Sequence, residues 1–160
     1  MTIVYNNSHE DLAQDSRDIK ASVGYEMATT KGISTSGKAD YEVYDQMLRY
    51  ANKTDKAYII NTHQGDGAMM GDVSLRNEAF WKIFATQVSP DSIIWLAGCN
   101  GYADMEFIHN ATGLTVYASK GWTKINYKVY TSPPYSSEAR HISDVHNDTG
   151  KDDGLYKIGN

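Results

Sequence analysis

The 160 residues suit one domain of ordinary size, long enough to bury a core without help from disulfides or metal. The formal net charge is −5 and the pI about 5.4, so no electrostatic ground exists for nucleic acid as a partner. A single cysteine excludes an internal disulfide, and no apolar run approaches the roughly 20 residues that span a bilayer.

The first residues, Met1-Thr2-Ile3-Val4-Tyr5, have neither the basic start nor the apolar stretch of a signal peptide. The expectation is a soluble protein, cytoplasmic or released by a signal-less route. Thr2–Tyr5 reads as a short strand. Ser8 is placed to cap a helix over His9–Ala21, with Asp11 in the capping-box position and Leu12, Ser16 and Ile19 on one face. Residues 22–39 carry Gly24, Gly32, Gly37 and several Ser and Thr, and read as a loop with a strand at Tyr25–Thr29.

Asp40 is the expected cap of a second helix, in which Val43, Tyr44, Met47, Leu48 and Ala51 recur at helical spacing. Ala57–Thr62 is a short apolar run of the buried-strand type, ending at the turn-rich His63-Gln64-Gly65-Asp66-Gly67. Ser74 is expected to open the next helix, with Leu75, Ala79, Phe80, Ile83 and Phe84 along one face. Ser92–Ala97 is a second buried strand, ending at Gly98-Cys99-Asn100-Gly101. A short helix over Ala103–Ala111 stops at Gly113, and Leu114–Ala118 is a third strand. From Lys124 to Tyr130, Ile125, Tyr127 and Val129 alternate with polar residues, as in a half-exposed strand or flap, until Pro133-Pro134. The domain is assigned to residues 1–143. Residues 144–160, polar and rich in Gly and Asp, are read as a C-terminal tail.

Strands alternating with helices imply an α/β fold, with a mostly parallel sheet, right-handed crossovers and helices on both faces. Chemistry in such sheets gathers beyond the carboxyl ends of the strands. One strand delivers His63 there and the next delivers Cys99. The 36-residue interval between them accommodates a strand-helix-strand unit, which takes about 30 residues or more. Adjacent strand ends lie about 5 Å apart. An imidazole beside a thiol takes its proton or lowers its pKa, which turns a weak nucleophile into a strong one. Glycines around both residues free backbone amides to face a developing oxyanion, the natural candidates being those of Cys99 and of Gln64 or Gly65.

These residues carry a resemblance. A buried strand ending in His, a Gly soon after, and a second buried strand ending in Gly-Cys resemble the cysteine peptidases of the caspase, gingipain and legumain group. The run Leu96-Ala97-Gly98-Cys99-Asn100 is nearest to the cysteine protease domains of large bacterial toxins. A related caspase-like module of bacterial surface proteins has a His-containing turn, a short hairpin and a Gly-Cys strand end. The likeness covers roughly residues 40–125. It implies a three-layer caspase-like sandwich, His63 as general base or acid, Cys99 as nucleophile, and neither metal nor cofactor. It further implies a peptide or protein substrate for a self-processing enzyme or a bacterial effector or toxin protease.

The group places Gly directly after the His, whereas here Gln64 intervenes and Gly65 follows. A catalytically inactive caspase-like binding module is therefore the alternative. Lys120, Lys124 and Lys128 fall where the toxin domains carry a basic flap for inositol hexakisphosphate, but three lysines in an acidic chain do not carry that ligand over. Asp66, Tyr117 and Trp122 are candidates for a substrate pocket. Asp66, Asp72 and Asp104 would either receive a basic substrate side chain or be solvated loop carboxylates.

Overall fold

The most apolar segments of the sequence become the middle of a sheet. The computed structural model describes residues 1–10, 12–14, 16–17, 29–62, 68–98, 101–119, 122–123, 145–146 and 155–159. In chain order the strands are β1 (Thr2–Asn6), β2 (Thr29–Ile33), β3 (Ala57–Asn61), β4 (Met69–Met70), β5 (Val73–Ser74), β6 (Ile93–Leu96), β7 (Thr115–Ser119), β8 (Trp122–Thr123), β9 (Val145–His146) and β10 (Leu155–Ile158). The complete helices are α1 (Asp40–Arg49), α2 (Glu78–Gln87) and α3 (Tyr102–Thr112). The described residues from Glu10 to Arg17 are also helical.

Six strands form one sheet in the order β10-β7-β6-β3-β1-β2. Every neighbouring pair is parallel except β10 with β7. β3 is buried at all five positions, as a strand with neighbours on both sides and cover on both faces must be. From β1 the chain steps outward to β2, then crosses back to β3 on the other side, and from there continues outward through β6 and β7. The reversal puts a topological switch point between β1 and β3.

Alternation along the strands sorts their side chains between two faces. Val4, Tyr58, Ile60, Ile94, Leu96, Val116 and Ala118 share one apolar cluster with residues of all three helices. Phe84 at its centre meets Tyr58 and Trp81 edge-to-face at 4.8 and 5.3 Å. The polar tips of this cluster are satisfied: the Tyr58 hydroxyl donates to the Met47 carbonyl (2.8 Å), and the Trp81 indole donates to the Leu75 carbonyl (2.6 Å). On the other face Ile3, Ile59 and Trp95 are equally buried. There Asn61 donates to the Leu12 carbonyl (3.2 Å) and the Ser16 hydroxyl (3.0 Å), which ties β3 to the helical residues near the N-terminus.

Several local expectations are corrected. Of the strand expected at Tyr25–Thr29, residues 25–28 lie outside the described residues, while residues 30–33, read as loop, are strand: β2 runs Thr29–Ile33. Only Ile33 of its residues is buried, because an edge strand has one neighbour, so no apolar alternation announces it. Helix α1 is capped at Ala39 rather than Asp40, and the Glu42 carboxylate accepts from the Ala39 amide (2.7 Å). Ser74 does not open α2. It ends the β4–β5 hairpin, and Asn77 caps the helix by accepting from the Phe80 amide (3.0 Å). The hairpin itself is absent from the sequence reading, since strands of two residues carry no periodicity. Leu155–Ile158, inside the segment read as a tail, pair with β7 and so belong to the sheet. The flap expected at Lys124–Tyr130 lies outside the described residues.

Candidate functional site at the carboxyl ends of the sheet

The two central strands set the geometry. β3 and β6 pair in parallel with Ile60 opposite Leu96, and the Ala97 amide continues the ladder by donating to the Ile60 carbonyl (2.8 Å). The chain therefore leaves β3 through Thr62 and leaves β6 through Gly98 at the same edge. Adjacent strands at this point are about 5 Å apart. His63, Gln64, Gly65, Asp66 and Cys99 lie outside the described residues, and the structure places what flanks them.

Those flanks are held tightly. Before the segment 63–67, the buried Thr62 donates its hydroxyl to the Met69 carbonyl, which closes the base of the segment. After it, Ala68 is bonded in both directions. Its carbonyl accepts from the Leu75 amide (2.8 Å), and its amide donates to the Asp104 carboxylate. Asp104 stands in the first turn of α3, where a carboxylate opposes the helix dipole favourably. It is 1% exposed, and its other oxygen accepts from Arg76 Nε (2.9 Å) and Nη2 (2.5 Å). Arg76 also donates to the Ala103 carbonyl (3.0 Å) and lies over the Phe107 ring at 5.6 Å.

Asp104 is thus neither a solvated loop carboxylate nor an acid open to substrate. It is buried and fully engaged. Gly101 caps α3 where the helix presses on the sheet: a Cβ there would lie 2.8 Å from Leu96 Cβ and 3.2 Å from Ala118 Cβ. A glycine is required at that position by close approach of strand and helix rather than by an exposed amide.

Tyr117 is not at the edge. It sits mid-strand in β7, opposite Trp95 and half-buried, with the Lys157 ammonium 5.9 Å from its ring centre. Its strand neighbours Val116 and Ala118 face the main core, so the ring projects from the other face. Trp122 lies in β8, which pairs with β9 as a separate two-stranded sheet. The structure therefore does not gather Tyr117 with the ends of β3 and β6.

A second feature occupies the same edge beyond β1 and β2. A cavity of about 350 Å³ opens between Ser8, Thr35, Lys38 and Asp72. Its floor is a neutral network: the Asn6 side chain accepts from the Ser8 amide (3.1 Å) and the Thr35 hydroxyl (2.8 Å), and the hydroxyls of Ser8 and Thr35 are 3.0 Å apart. Gly71 turns the β4–β5 hairpin at φ +63° and passes so close to Thr35 that a Cβ would lie 2.8 Å from the Thr35 Cβ. Asp72, one of the sequence candidates, lines this cavity.

Among the described residues no three His, Cys, Asp or Glu side chains group as metal ligands, and no described helix is long and apolar enough to cross a membrane. No protein-family model, curated protein or solved structure matches the chain. Chemistry and position are what bear on function. The Asp104–Arg76 pair and the Thr62–Met69 closure escaped the sequence reading. Their partners stand 28 and 7 residues apart with no motif joining them.

Proposed function

We propose that this chain is a cysteine endopeptidase of caspase-like architecture, with Cys99 as nucleophile and His63 as general base and acid. One observation carries the reading. The in-register parallel pairing of β3 and β6 sends the residues before His63 and before Cys99 out of the same edge of the sheet. The short hairpin after the His segment agrees with the resemblance to caspase-like modules. Helices α1 to α3 on one face, and the helical residues bonded to Asn61 on the other, agree with a three-layer arrangement.

The chemistry follows from these roles. His63 takes the Cys99 proton, and the thiolate attacks the scissile carbonyl to form a carbon–sulfur bond. Negative charge moves to the carbonyl oxygen, facing the amides of Cys99 and of Gln64 or Gly65. The intermediate collapses, the amine leaves with the proton held by His63, and an acyl-enzyme remains. Water, deprotonated by His63, attacks that thioester. The acid departs and the thiol is restored.

Replacing Cys99 by Ala abolishes cleavage of a peptide library and of the chain itself under this reading. Unchanged cleavage removes the nucleophile assignment. The alternative, an inactive caspase-like binding module, rests on Gln64 in the position the group gives to Gly. A thiol-directed alkylating probe separates the two, because an activated Cys99 is labelled fast at neutral pH and an inert one slowly.

A further inference from the structure

The carboxylate of Asp104 joins two pieces of chain that the sequence keeps far apart. Ala68 is the first described residue after the segment 63–67, and Gly101 is the first after 99–100. Asp104 belongs to the helical turn that opens at Gly101, since its amide donates to the Gly101 carbonyl (3.1 Å). The same residue accepts the Ala68 amide. One side chain therefore fastens the exit of the His63 segment to the exit of the Cys99 segment.

Arg76 orients that fastener. Its guanidinium makes a two-pronged contact with Asp104 Oδ1 and a third bond to Ala103, while its side chain is 54% exposed. The carboxylate is therefore buried beside a cation that is itself reachable by water. A buried acid is thereby paired without burying a second charged group. Hydrogen bonds to an ionised acceptor are shorter and more directional than neutral ones, so the relative position of the two exits is set narrowly. On the other side of the segment, Thr62 bonded to Met69 fixes the entry.

We infer that Asp104, oriented by Arg76, is the positioning residue that sets the His63 segment against the Cys99 segment. The inference rests on the peptidase reading. Asp104 touches no reacting atom in it. It acts by fixing the exit of the imidazole-bearing segment at Ala68 against the exit of the thiol-bearing one at Gly101, and a displacement of about 1 Å is enough to cost a catalytic pair much of its rate.

The chain's single cysteine gives a direct readout. The rate of Cys99 alkylation by iodoacetamide at neutral pH is measured on the full chain for the parent protein, His63→Ala, Asp104→Ala and the double variant. Circular dichroism confirms that each is folded. His63→Ala is expected to slow alkylation about tenfold, the change from a partly ionised thiol to an ordinary one. Asp104→Ala is expected to slow it by a similar factor, and the double variant no further than His63→Ala alone. That non-additivity is what a residue acting through His63 produces and a merely structural one does not.

If His63→Ala leaves the rate unchanged, the peptidase reading fails and the positioning role falls with it. If His63→Ala slows the reaction but folded Asp104→Ala does not, or if the two losses multiply, the positioning inference alone is overturned. Should Asp104→Ala not fold, Asp104→Asn keeps an acceptor oxygen for the Ala68 amide while losing the charge facing Arg76. It is then expected to slow alkylation a few-fold, and a rate equal to the parent's overturns the inference.

Discussion

At the ends of β3 and β6 the chain is fastened by charge, and at the ends of β1 and β2 by neutral groups. Asp104 lies buried between the Ala68 amide and the Arg76 guanidinium. At the other end of the same edge, Asn6, Ser8 and Thr35 bond one another through an amide and two hydroxyls, and a cavity opens above them. The two fasteners differ in what they cost to break. A charged bond in a dry place leaves an unsatisfied group behind when one partner is removed, whereas water replaces a neutral bond at a cavity rim. The first suits a region whose geometry must not vary, the second a surface that meets solvent or a ligand.

The largest effect that would test this contrast comes from Asp104→Ala. Two bonds from Arg76 and one from a buried amide are lost together. The expected cost is about 3 kcal/mol in urea unfolding, below the upper range for broken buried pairs because Arg76 returns to solvent. A loss under roughly 1 kcal/mol would erase the distinction between the two ends.

Gly101→Ala comes next and probes steric rather than electrostatic confinement at the same end. The backbone of Gly101, at φ −56° and ψ −23°, is one that alanine also adopts, so dihedral strain predicts no loss. The Cβ would instead meet Leu96 Cβ at 2.8 Å, between backbones that cannot part without moving β6. Overpacking of this kind costs about 1–3 kcal/mol, and calorimetry should show a lower Tm. An unchanged or higher Tm would mean that the start of α3 is looser than the charge lock beside it.

The contrast also marks how far the sequence could be read. β3, β6, the stop of α3 at Gly113 and the parallel order of the middle strands follow from apolar runs bounded by glycine and turn residues, signals that lie within a few positions of one another. The same reasoning locates the edge of the sheet at which the chain leaves β3 before residue 63 and β6 before residue 99. β2 was missed because its strand character comes from its neighbour β1, not from its own residues. β10 was missed because Leu155-Tyr156-Lys157-Ile158 stands alone among polar residues, and only β7 beside it makes it a strand. Asp104 looked like a surface acid because its partners, Arg76 and Ala68, are distant in sequence. Burial of a carboxylate is decided by tertiary pairing, which no local pattern encodes.

A smaller change is expected at the neutral end. Thr35→Val removes the hydroxyl bonded to Asn6 and Ser8 while keeping the shape beside Gly71. Water at the cavity takes over part of the bonding, so the loss should stay near 1 kcal/mol or below in the same urea assay. A loss equal to that of Asp104→Ala would show that both ends of the edge are equally rigid.

The amino edge of the sheet supplies the smallest and most conditional effect. Asp55 accepts from the Met1 ammonium (2.8 Å), from the Thr2 hydroxyl and from the Asn52 amide (2.7 Å). Burial alone would raise its carboxyl, but these bonds and the nearby ammonium charge outweigh burial and hold it below the ordinary carboxylate value. A depressed folded pKa means that the unfolded chain binds the proton more readily. The stabilisation is therefore complete above the unfolded value near pH 4, and is lost as pH falls through the lower folded one. For a pair this close to solvent the effect should be less than about 1 kcal/mol, and salt should weaken it. Asp55→Asn should flatten the acid limb of the stability curve in that window and leave its neutral plateau lowered by the same small amount. An acid limb with the parent's slope would place the proton uptake elsewhere, and the amino edge would then be held by hydrogen bonding alone.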